Sequence, residues 1–515
     1  MSATETTATE TTEVELKYDL DDHTSVPDLT VLKAVHSVSG PVIEHLDATY
    51  YDTDALDLAG NKITLRRREG GHDEGWHLKR PPIGEGIGRR EMHVPLEHAA
   101  DPFSEVVVPS DLTDHVQVHV RGRRLSPIAT ISTVRRITEL HDSDGQVLAV
   151  LCEDTVSTQS LLSHGHAQSW NEWELELVTG DVKLLEAADE LLRSQGARTA
   201  TSASKLARAI GPTPTSADAG SGVSRGGKKS SGKKLSALEL VIAELAAHRD
   251  HLVAQDPLVR ISAPDSVHQM RVATRRARSV LRSFPEVLHG DVIGHLEGEL
   301  KYLAGILGDA RDAEVQLERN RGLLSAESAP PTIVTALIDD QIKTCESTVE
   351  FVLEYLKSAR YFELLNELDR TVAEPQPGPD ADLTATKALD QAVARSAERV
   401  RKAQRKLKTL AVESPEWIEQ LHTIRKRAKQ LRYTTDSADR LGTKKHKKIA
   451  KQAKQEQAAL GDFHDAEVSR EHLAQLASGS GISTADAFVY GRLDAREQFA
   501  AATAMRAYRK AKSLL

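Results

Sequence analysis

The sequence predicts a multidomain α+β protein in which an antiparallel β domain precedes an all-α domain. Residues 11–210 contain short alternating runs such as KITLRRRE, GWHLKR and NEWELELV, and Gly, Asp-Gly or Pro separates many of them. Residues 235–515 instead follow the helical period in long Ala/Leu/Glu/Lys/Arg runs. A chain of 515 residues is also too long for one ordinary core, which favours two or three domains.

Two further segments frame these domains. Residues 1–10, rich in Thr, Glu and Ala, are predicted to be a disordered tail. Residues 211–234, GPTPTSADAGSGVSRGGKKSSGKK, contain Gly, Ser and Pro with a single valine as their only large apolar residue. This composition is typical of a flexible linker. Just before it, DVKLLEAADELLRSQG predicts a helix that ends at Gly196.

Composition bears on location and partners. The two cysteines, Cys152 and Cys345, are far apart and form no metal or disulfide pattern, which fits a reducing compartment. No run approaches the ~18 apolar residues of a membrane span, and residues 1–12 lack the regions of a signal peptide. We therefore expect a cytoplasmic protein without a membrane partner. The net charge of −9 argues weakly against a general nucleic-acid binder, although it can hide basic local faces.

The strands of the β domain each place charge on one face. In EVELKYDL, Glu13, Glu15 and Lys17 alternate with apolar residues, so they share a face. The same parity test groups further charged residues on single faces: Arg66 with Arg68, His77 with Lys79, Arg89 with Glu91, and Glu172 with Glu174 and Glu176. The acidic groups fall on the first and last strands, and the basic groups on the strands between.

Two interpretations of this pattern remain open from the residues alone. A half-exposed sheet can carry charge on its wet side. However, like charges directly opposed across a sheet repel, so clustered Arg and clustered Glu need partners. A closed barrel with a charged interior supplies them, because Arg and Lys bind phosphate oxygens and paired carboxylates hold Mg²⁺ or Mn²⁺.

The β domain resembles the CYTH domains, also called triphosphate tunnel metalloenzymes. The motif Glu13-x-Glu15-x-Lys17 is similar to the ExExK signature of that family. The resemblance extends over about residues 11–210 and includes TYYDTDALDLAGNKITLRRREGG, WHLKRP, the Arg/Glu strand at 89–91, Arg135, Asp154, the pair Glu174 and Glu176, and SKLARAI. It implies an eight-stranded antiparallel tunnel that binds triphosphate-containing substrates.

The resemblance also implies a role for each matching residue. The expected catalytic residues are Glu13, Glu15 and Lys17. The expected ligands of Mg²⁺ or Mn²⁺ are Glu13, Glu15, Asp154, Glu174 and Glu176. The expected substrate-binding residues are Lys17, Arg66, Arg68, Lys79, Arg89, Arg135 and Lys205. Arg90 beside Arg89 and Arg136 beside Arg135 leave the parity of those two positions open.

The helical region contains a tandem duplication, with repeats at about 235–370 and 385–515. VHQMRVATRRARSVLRSF (267–284) matches LHTIRKRAKQLRYTTDSA (421–438), and LKYLAGILGDARDAEV (300–315) matches AKQEQAALGDFHDAEV (453–468). The first pair is offset by 154 residues (421 − 267) and the second by 153 (453 − 300). Two blocks in the same order at nearly one offset indicate a repeated helical unit.

Each repeat carries a basic stripe. His268, Arg271, Arg275 and Arg278 are spaced three, four and three residues apart, and His422, Arg425, Lys429 and Arg432 share that spacing. Such a stripe lies on one face of a helix and is often a solvated surface. Because like charges at i,i+4 destabilise a helix, their presence in both copies favours a polyanion that neutralises them.

The duplicated region resembles the CHAD domain over about residues 235–515. The resemblance implies binding of inorganic polyphosphate in a basic groove between the two halves. The residues carried over are His268, Arg271, Arg275, Arg278, Lys301, Arg311, His422, Arg425, Lys429, Arg432, Lys454 and His464. Asp312 and Asp465 are expected to orient basic side chains. Aromatic residues are only 4% of the chain, which disfavours base stacking and makes nucleic acid an unfavoured partner.

The leading functional hypothesis is a metal-dependent hydrolase of inorganic triphosphate or short polyphosphate. Its helical domain would bind longer polyphosphate and localise the protein to it, for instance at polyphosphate granules. One alternative is a non-catalytic module that tethers partners to polyphosphate. Another is a nucleotide-triphosphate enzyme, either a phosphatase or an adenylate cyclase.

Overall fold

The computed structural model describes residues 9–21, 24–82, 88–96, 106–163, 165–211, 235–325, 329–441, 445–479 and 481–512, apart from the side chains of 291, 292, 438 and 439. The chain divides into two compact units, Met1–Ser221 and Gly222–Leu515. Their boundary falls within the linker predicted at 211–234. Residues 212–234 themselves lie outside the described residues.

The first unit is built on one antiparallel sheet. Its strands are β1 Thr9–Glu13, β2 Glu15–Asp19, β3 Ser37–Asp52, β4 Thr64–Glu69, β5 Gly75–Arg80, β6 Arg89–Pro95, β7 Ser126–His141, β8 Val147–Ser160, β9 Ala167–Leu177 and β10 Arg198–Thr199. Their order in the sheet is β1-β6-β5-β4-β3-β7-β8-β9-β2-β10. Because β1 begins at Thr9, the last two residues of the tail expected at 1–10 belong to a strand.

The sheet closes on itself through its first strand. β1 and β2 are consecutive segments interrupted at Val14, and β1 pairs with β6 whereas β2 pairs with β9. The described residues therefore form ten strands where eight were expected. The difference comes from this interruption and from the two-residue strand β10. Gly88 permits the close approach at the seam, since its φ is +93° and a Cβ there would lie 2.5 Å from the Glu13 carbonyl oxygen.

Five helices among the described residues pack on the barrel. They are α1 Asp57–Gly60, α2 Ser110–Thr113, α3 Gln117–Val120, α4 Val182–Ser194 and α5 Lys205–Ile210. The first four cover its outside, whereas α5 packs among interior residues. The predicted helix is α4, which Asp181 caps at its N-terminus and Gly196, with φ +95°, follows at its C-terminus. Leu184 and Leu192 of α4 pack on Tyr18 and Trp173, which lie on the outer face of β2 and β9.

This packing explains why the charged faces point inward. The apolar parity of the strands is buried under helices on the outside, so the opposite parity must face the barrel interior. The same arrangement recurs on β4 to β6, where Leu65, Leu78 and Met92 pack with Leu112 of α2. The last helix, α5, packs Leu206 among interior residues and thereby carries its first residue, Lys205, into the cavity.

The second unit is all helical over its described residues. Its helices are α6 Ala237–Arg260, α7 Ser266–Ser283, α8 Asp291–Leu324, α9 Pro331–Val334, α10 Asp340–Leu356, α11 Ala359–Ala373, α12 Ala385–Leu407, α13 Pro415–Arg440, α14 Lys447–Ala477 and α15 Thr484–Lys512. A π-helical turn, Thr335–Asp339, joins α9 to α10. Among the helices that the structure describes, none is long and apolar enough to cross a bilayer.

The duplication is visible in the order of these helices. The basic stripes lie on α7 and α13, and the two LGDxxDAEV segments lie on α8 and α14. Ser236 caps α6 and Thr384 caps α12. These two caps also face each other in an antiparallel bridge, so the repeats meet at equivalent points of the chain.

Candidate functional site

A cavity of about 470 Å³ occupies the inside of the barrel. Its wall combines both signs of charge, as the alternation of the strands predicts. The expected site residues that line it are Glu13, Glu15, Lys17, Arg66, Arg68, Lys79, Arg89, Arg135, Glu174, Glu176 and Lys205. The structure therefore brings together residues from both ends of the first unit, separated by up to 192 positions in sequence (205 − 13).

The structure also resolves the two ambiguous arginine pairs. Arg89 lines the cavity and its Nη2 donates to the Lys62 carbonyl oxygen at 2.9 Å, whereas Arg90 pairs with Glu10 at 3.6 Å. Arg135 lines the cavity, whereas Arg136 is half exposed and lies 3.6 Å from Glu153. Each pair thus places one arginine in the cavity and leaves the other paired with a carboxylate outside it.

One part of the cavity wall presents cationic donors that lack partners. Arg66 contacts the Tyr50 hydroxyl at 3.5 Å and the Glu91 carboxylate at 3.8 Å, and Arg68 pairs with Asp73. The Nε atoms of Arg66 and Arg68 are buried, and neither has a hydrogen-bond partner among the described residues. Burial, together with Arg66, lowers the pKa of Arg68. An anion with several oxygens would satisfy these donors.

A first acidic cluster is already neutralised by cations of the chain. Carboxylate oxygens of Asp154, Glu172 and Glu174 lie within 4.8 Å of one another, a spacing that could hold a metal ion. The Lys205 Nζ nevertheless lies 2.9, 2.6 and 2.7 Å from these three carboxylates. Arg135 adds contacts of 2.6 Å to Asp154 and 2.5 Å to Glu174.

Asp154 is placed differently from the other expected metal ligands. Its side chain is fully buried beneath Arg135 and Lys205 and does not line the cavity. Glu174 lines the cavity but is shared by Lys17, Lys205 and Arg135. Burial would raise the pKa of Glu174, yet these three cations outweigh burial and lower it. Both carboxylates therefore orient cations in this structure.

Glu13, Glu15 and Glu176 also line the cavity, and their ion pairs leave negative charge unneutralised. Lys79 lies 2.5 Å from Glu13, and Lys17 lies 2.9 Å from Glu15. Glu176 forms no ion pair within the part of the chain that the structure describes. Burial, with the charges of Glu13 and Glu15, raises the pKa of Glu176 to about 7. The missing positive charge fits a divalent cation that takes oxygen ligands.

The structure shows interior residues to which the sequence analysis gave no role, among them Tyr50, Glu172 and His77. Tyr50 is the cross-strand partner of Arg66, so correct strand pairing would have revealed it. Glu172 joins the cluster around Lys205 and shares the parity of Glu174. His77, which shares a face with Lys79, contacts Glu91 at 2.9 Å and the Asp73 carbonyl oxygen at 3.0 Å. His77 thereby holds a carboxylate that faces the cavity.

In the helical unit, the two stripes line a groove made of adjoining cavities. The first, about 330 Å³, is lined by Arg271, Arg275, His422, Arg425, Lys429 and His464. The second, about 380 Å³, is lined by Arg278 and Lys301 and shares Arg275 and Lys429 with the first. The remaining four expected residues, His268, Arg311, Arg432 and Lys454, line neither of these cavities. Of these, Arg311 pairs with Glu314 and Arg432 bonds Gln457.

Equivalent residues of the two repeats make equivalent contacts in the groove. Arg271 lies 3.1 Å from Asp312, and Arg425 lies 3.9 Å from Asp465. These contacts agree with the expectation that the aspartates orient basic side chains. The glycine of the first LGD segment makes room for its arginine, since a Cβ at Gly308 would lie 3.3 Å from Arg271, whereas a Cβ at Gly461 would make an ordinary 3.9 Å contact with Arg425.

The groove has more positive charge than its own carboxylates neutralise. Burial, followed by Arg275, Arg271 and Arg425, lowers the pKa of Lys429 to about 6. Burial and Arg425 likewise lower the pKa of His464 to about 4, and its ring bonds His422 at 3.0 Å. A lysine whose proton is disfavoured by neighbouring cations indicates a site for an anion.

Comparisons with known proteins agree with the division into a β domain and a helical domain. A family model of the CYTH domain matches residues 11–210, and a family model of the CHAD domain matches residues 243–474. Two uncharacterized proteins from strains of Mycobacterium tuberculosis are each 37% identical over 505 residues, covering 94% of this chain and 92% of theirs.

Solved structures are also similar to part of this chain. PptA from Streptomyces chartreusis covers 54% of this chain and 99% of its own, at 18% identity and a TM-score of 0.45. The CHAD domain from the plant Ricinus communis covers 55% of this chain and 93% of its own, at 23% identity and a TM-score of 0.43. The Hippeastrum protein HpAC1, described as having a dominant triphosphatase activity, covers 39% and 98%, at 17% identity and a TM-score of 0.22.

The fold, the cavity and the two family models together define a triphosphate-tunnel protein with an appended helical domain. The chain belongs to the family in which a CYTH domain is followed by a CHAD domain. CYTH domains act on triphosphate substrates, and the barrel cavity has the charges that such substrates require.

Proposed function

We propose that this protein is a metal-dependent hydrolase of inorganic triphosphate or short polyphosphate, and that its helical domain binds longer polyphosphate. The barrel cavity is the main support. It places the unpartnered donors of Arg66 and Arg68 in the same space as the under-neutralised carboxylates of Glu13, Glu15 and Glu176. A phosphate chain with its divalent cation would satisfy both at once.

In this proposal, Glu13, Glu15 and Glu176 hold Mg²⁺ or Mn²⁺. The bound ion would lower the pKa of water and neutralise charge that develops on the phosphate. Glu174 and Asp154, which were expected as further ligands, instead fix Lys17, Lys205 and Arg135 in position.

The cations of the cavity wall bind and orient the phosphate chain. Arg66 and Arg68 offer guanidinium donors to non-bridging oxygens, and Lys79, Arg89, Arg135 and Lys205 complete the set around the cavity. Fixed donors of this kind stabilise charge in the transition state because they need no reorganisation. Lys17, held between Glu15 and Glu174, would lie next to the metal ligands and counter the charge of the terminal phosphoryl group.

The helical domain would bind polyphosphate through the groove between α7 and α13. The excess positive charge around Lys429 supports this assignment, because a polyanion would restore the lysine's proton and neutralise its neighbours. Binding there would bring the tunnel close to stored polyphosphate, and granules rich in that polymer would be the natural location.

The test is release of orthophosphate by the purified full chain. Inorganic triphosphate, long-chain polyphosphate, ATP and thiamine triphosphate are each supplied with Mg²⁺ or Mn²⁺, and then with EDTA. Metal-dependent release from triphosphate is the expected result. Polyphosphate binding without release from any of the four would instead support the tethering module. Formation of cyclic AMP from ATP would support a cyclase.

A further inference from the structure

The basic groove of the helical unit continues beyond the residues that the duplication predicts. A third cavity, of about 460 Å³, adjoins the second and is lined by Arg282, Ser396, Arg399, Thr423, Lys426, Arg427 and Gln430. Arg282, Lys426 and Gln430 line both the second and the third cavities. Lys426 also lines the first. The three cavities therefore form one continuous path.

Carboxylates become fewer along this path. Asp312 and Asp465 line the first cavity, whereas neither the second nor the third is lined by any aspartate or glutamate among the described residues. Arg278 and Arg282 share a single carboxylate, Glu297, at 3.5 Å each. Within the described helices, Lys426 and Arg399 form no ion pair. The positive charge of the path is thus least balanced at its outer end, which is the third cavity.

The residues that line this extension differ between the two repeats. At the offset of 154 residues, Lys426 corresponds to Val272, and Arg282 corresponds to Asp436. The inner contacts of Arg271 and Arg425 are symmetric, but these outer positions are not. The extended charge is therefore not a by-product of the duplicated stripe. It results from residues that one repeat has and the other lacks.

The length of the path limits the ligand that can use it. Arg271 and Arg282 are eleven residues apart on α7, which corresponds to about 16 Å of helix. Inorganic triphosphate has only three phosphoryl groups and cannot contact cations at both ends of such a path. A long polyphosphate chain can follow all three cavities. Its affinity would then increase with each cation that it reaches.

We propose that Arg282, Arg399, Lys426 and Arg427 form an outer anion subsite through which the helical domain selects long polyphosphate over triphosphate. This inference rests on the proposed function of the groove. In it, the two domains bind phosphate chains of different length: the groove retains long polyphosphate, and short phosphate chains remain free to enter the tunnel. Polyphosphate is favoured over nucleic acid because Tyr433 is the only Tyr, Trp or Phe that lines the described part of the path.

The experiment measures displacement of a fluorescent long-chain polyphosphate from the full chain in EDTA. Competitors are unlabelled inorganic triphosphate, long-chain polyphosphate and single-stranded RNA at equal phosphate concentration. The variant combines Lys426→Val, which introduces the residue of the first repeat, with Arg399→Gln. The control combines Lys406→Val with Arg401→Gln on α12, which removes the same charge outside the three cavities. Lys426→Arg with Arg399→Lys serves as the charge-conserving variant.

The expected result is a roughly fivefold to tenfold loss of affinity for long polyphosphate in the Lys426→Val, Arg399→Gln variant. Displacement by triphosphate, the control pair and the charge-conserving pair should remain close to wild type. Equal losses for triphosphate and long chains, or no loss at all, would overturn the outer subsite while leaving the groove assignment intact. Wild-type protein that binds no polyphosphate would overturn the groove assignment itself. RNA that displaces the probe as well as polyphosphate would overturn the choice of ligand.

Discussion

Glu15 and Glu176 are direct cross-strand partners on β2 and β9, and both line the barrel cavity. Two residues further along the same two strands, Lys17 and Glu174 form the next cross-strand pair that faces the barrel interior, and their charges compensate each other. Like charges directly opposed across a sheet are destabilising. Lys17 reaches Glu15, but Glu176 forms no ion pair among the described residues, so a cation bound at this pair, with Glu13 close to it, would stabilise the barrel.

Replacing the two glutamates of β1 and β2 should abolish metal-dependent turnover. Glu13→Gln with Glu15→Gln keeps the side-chain volume but removes two of the three proposed ligands. We expect kcat/KM for triphosphate to fall on the order of a hundredfold or more. Phosphate release across a Mg²⁺ series measures the effect. The control is Glu153→Gln, an outward residue of β8 that pairs with Arg136. If the double variant kept wild-type turnover and metal requirement, the metal-site assignment would be wrong.

The three arginines of β4 provide an internal comparison. Arg66 and Arg68 face the cavity, whereas Arg67 pairs with Glu69 outside it. Arg66→Gln or Arg68→Gln should each weaken transition-state binding by roughly 2–3 kcal/mol, because each removes charged donors to the phosphate chain. Arg67→Gln should change kcat/KM little. Steady-state kinetics on triphosphate gives the three values, and a large effect of Arg67→Gln alone would contradict the inward parity.

Much of the barrel could be predicted from alternation alone. The parity of Glu13, Glu15 and Lys17 identifies an inner face because Leu16 and Tyr18 between them supply an apolar outer face for α4. What the pattern could not predict is which opposite charges pair. Lys205 reaches Asp154, Glu172 and Glu174 only because α5, which begins about thirty residues after the end of β9, enters the barrel. The neutralisation of that acidic cluster is thus a tertiary property.

The helical unit shows the same division. The repeat offset pairs Arg271 with Arg425 and Asp312 with Asp465, and the structure gives these pairs equivalent contacts. The offset also hides what differs between the repeats. Lys426 corresponds to Val272 and extends the groove only because α12 and α7 bring Arg399 and Arg282 beside it. A residue that differs between the repeats has no equivalent in the other copy, so its role can be seen only from how the helices pack.

Polyphosphate binding should be coupled to proton uptake. Burial and nearby arginines lower the pKa of Lys429 to about 6, so at pH 7.5 its amine is mostly neutral in the free groove. A bound polyanion raises that pKa, and the complex therefore gains a proton. Calorimetry in buffers of different ionisation enthalpy should detect an uptake of up to one proton per site, which Lys429→Met should reduce.

The same shift has a consequence for stability. Because the pKa of Lys429 is lower in the fold than in the unfolded chain, the fold binds fewer protons between about pH 6 and the usual lysine range. The fold is therefore progressively destabilised as the pH falls from the usual lysine range to about 6, and the effect is constant below that pH. Lys429→Met should make unfolding less dependent on pH across this window. An unchanged pH dependence would contradict the lowered pKa.

Reversing one arginine in each stripe tests the groove as a whole. Arg271→Glu with Arg425→Glu places carboxylates beside Asp312 and Asp465, so we expect polyphosphate affinity to fall roughly a hundredfold at moderate salt. Arg401→Glu with Arg405→Glu, both paired with Glu398 on the outer face of α12, makes the same change in net charge elsewhere. Arg271→Gln with Arg425→Gln avoids the new repulsion and should still lose affinity if the reversal destabilises the bundle. Unchanged affinity in both groove variants, with normal unfolding midpoints, would show that polyphosphate binds on another surface.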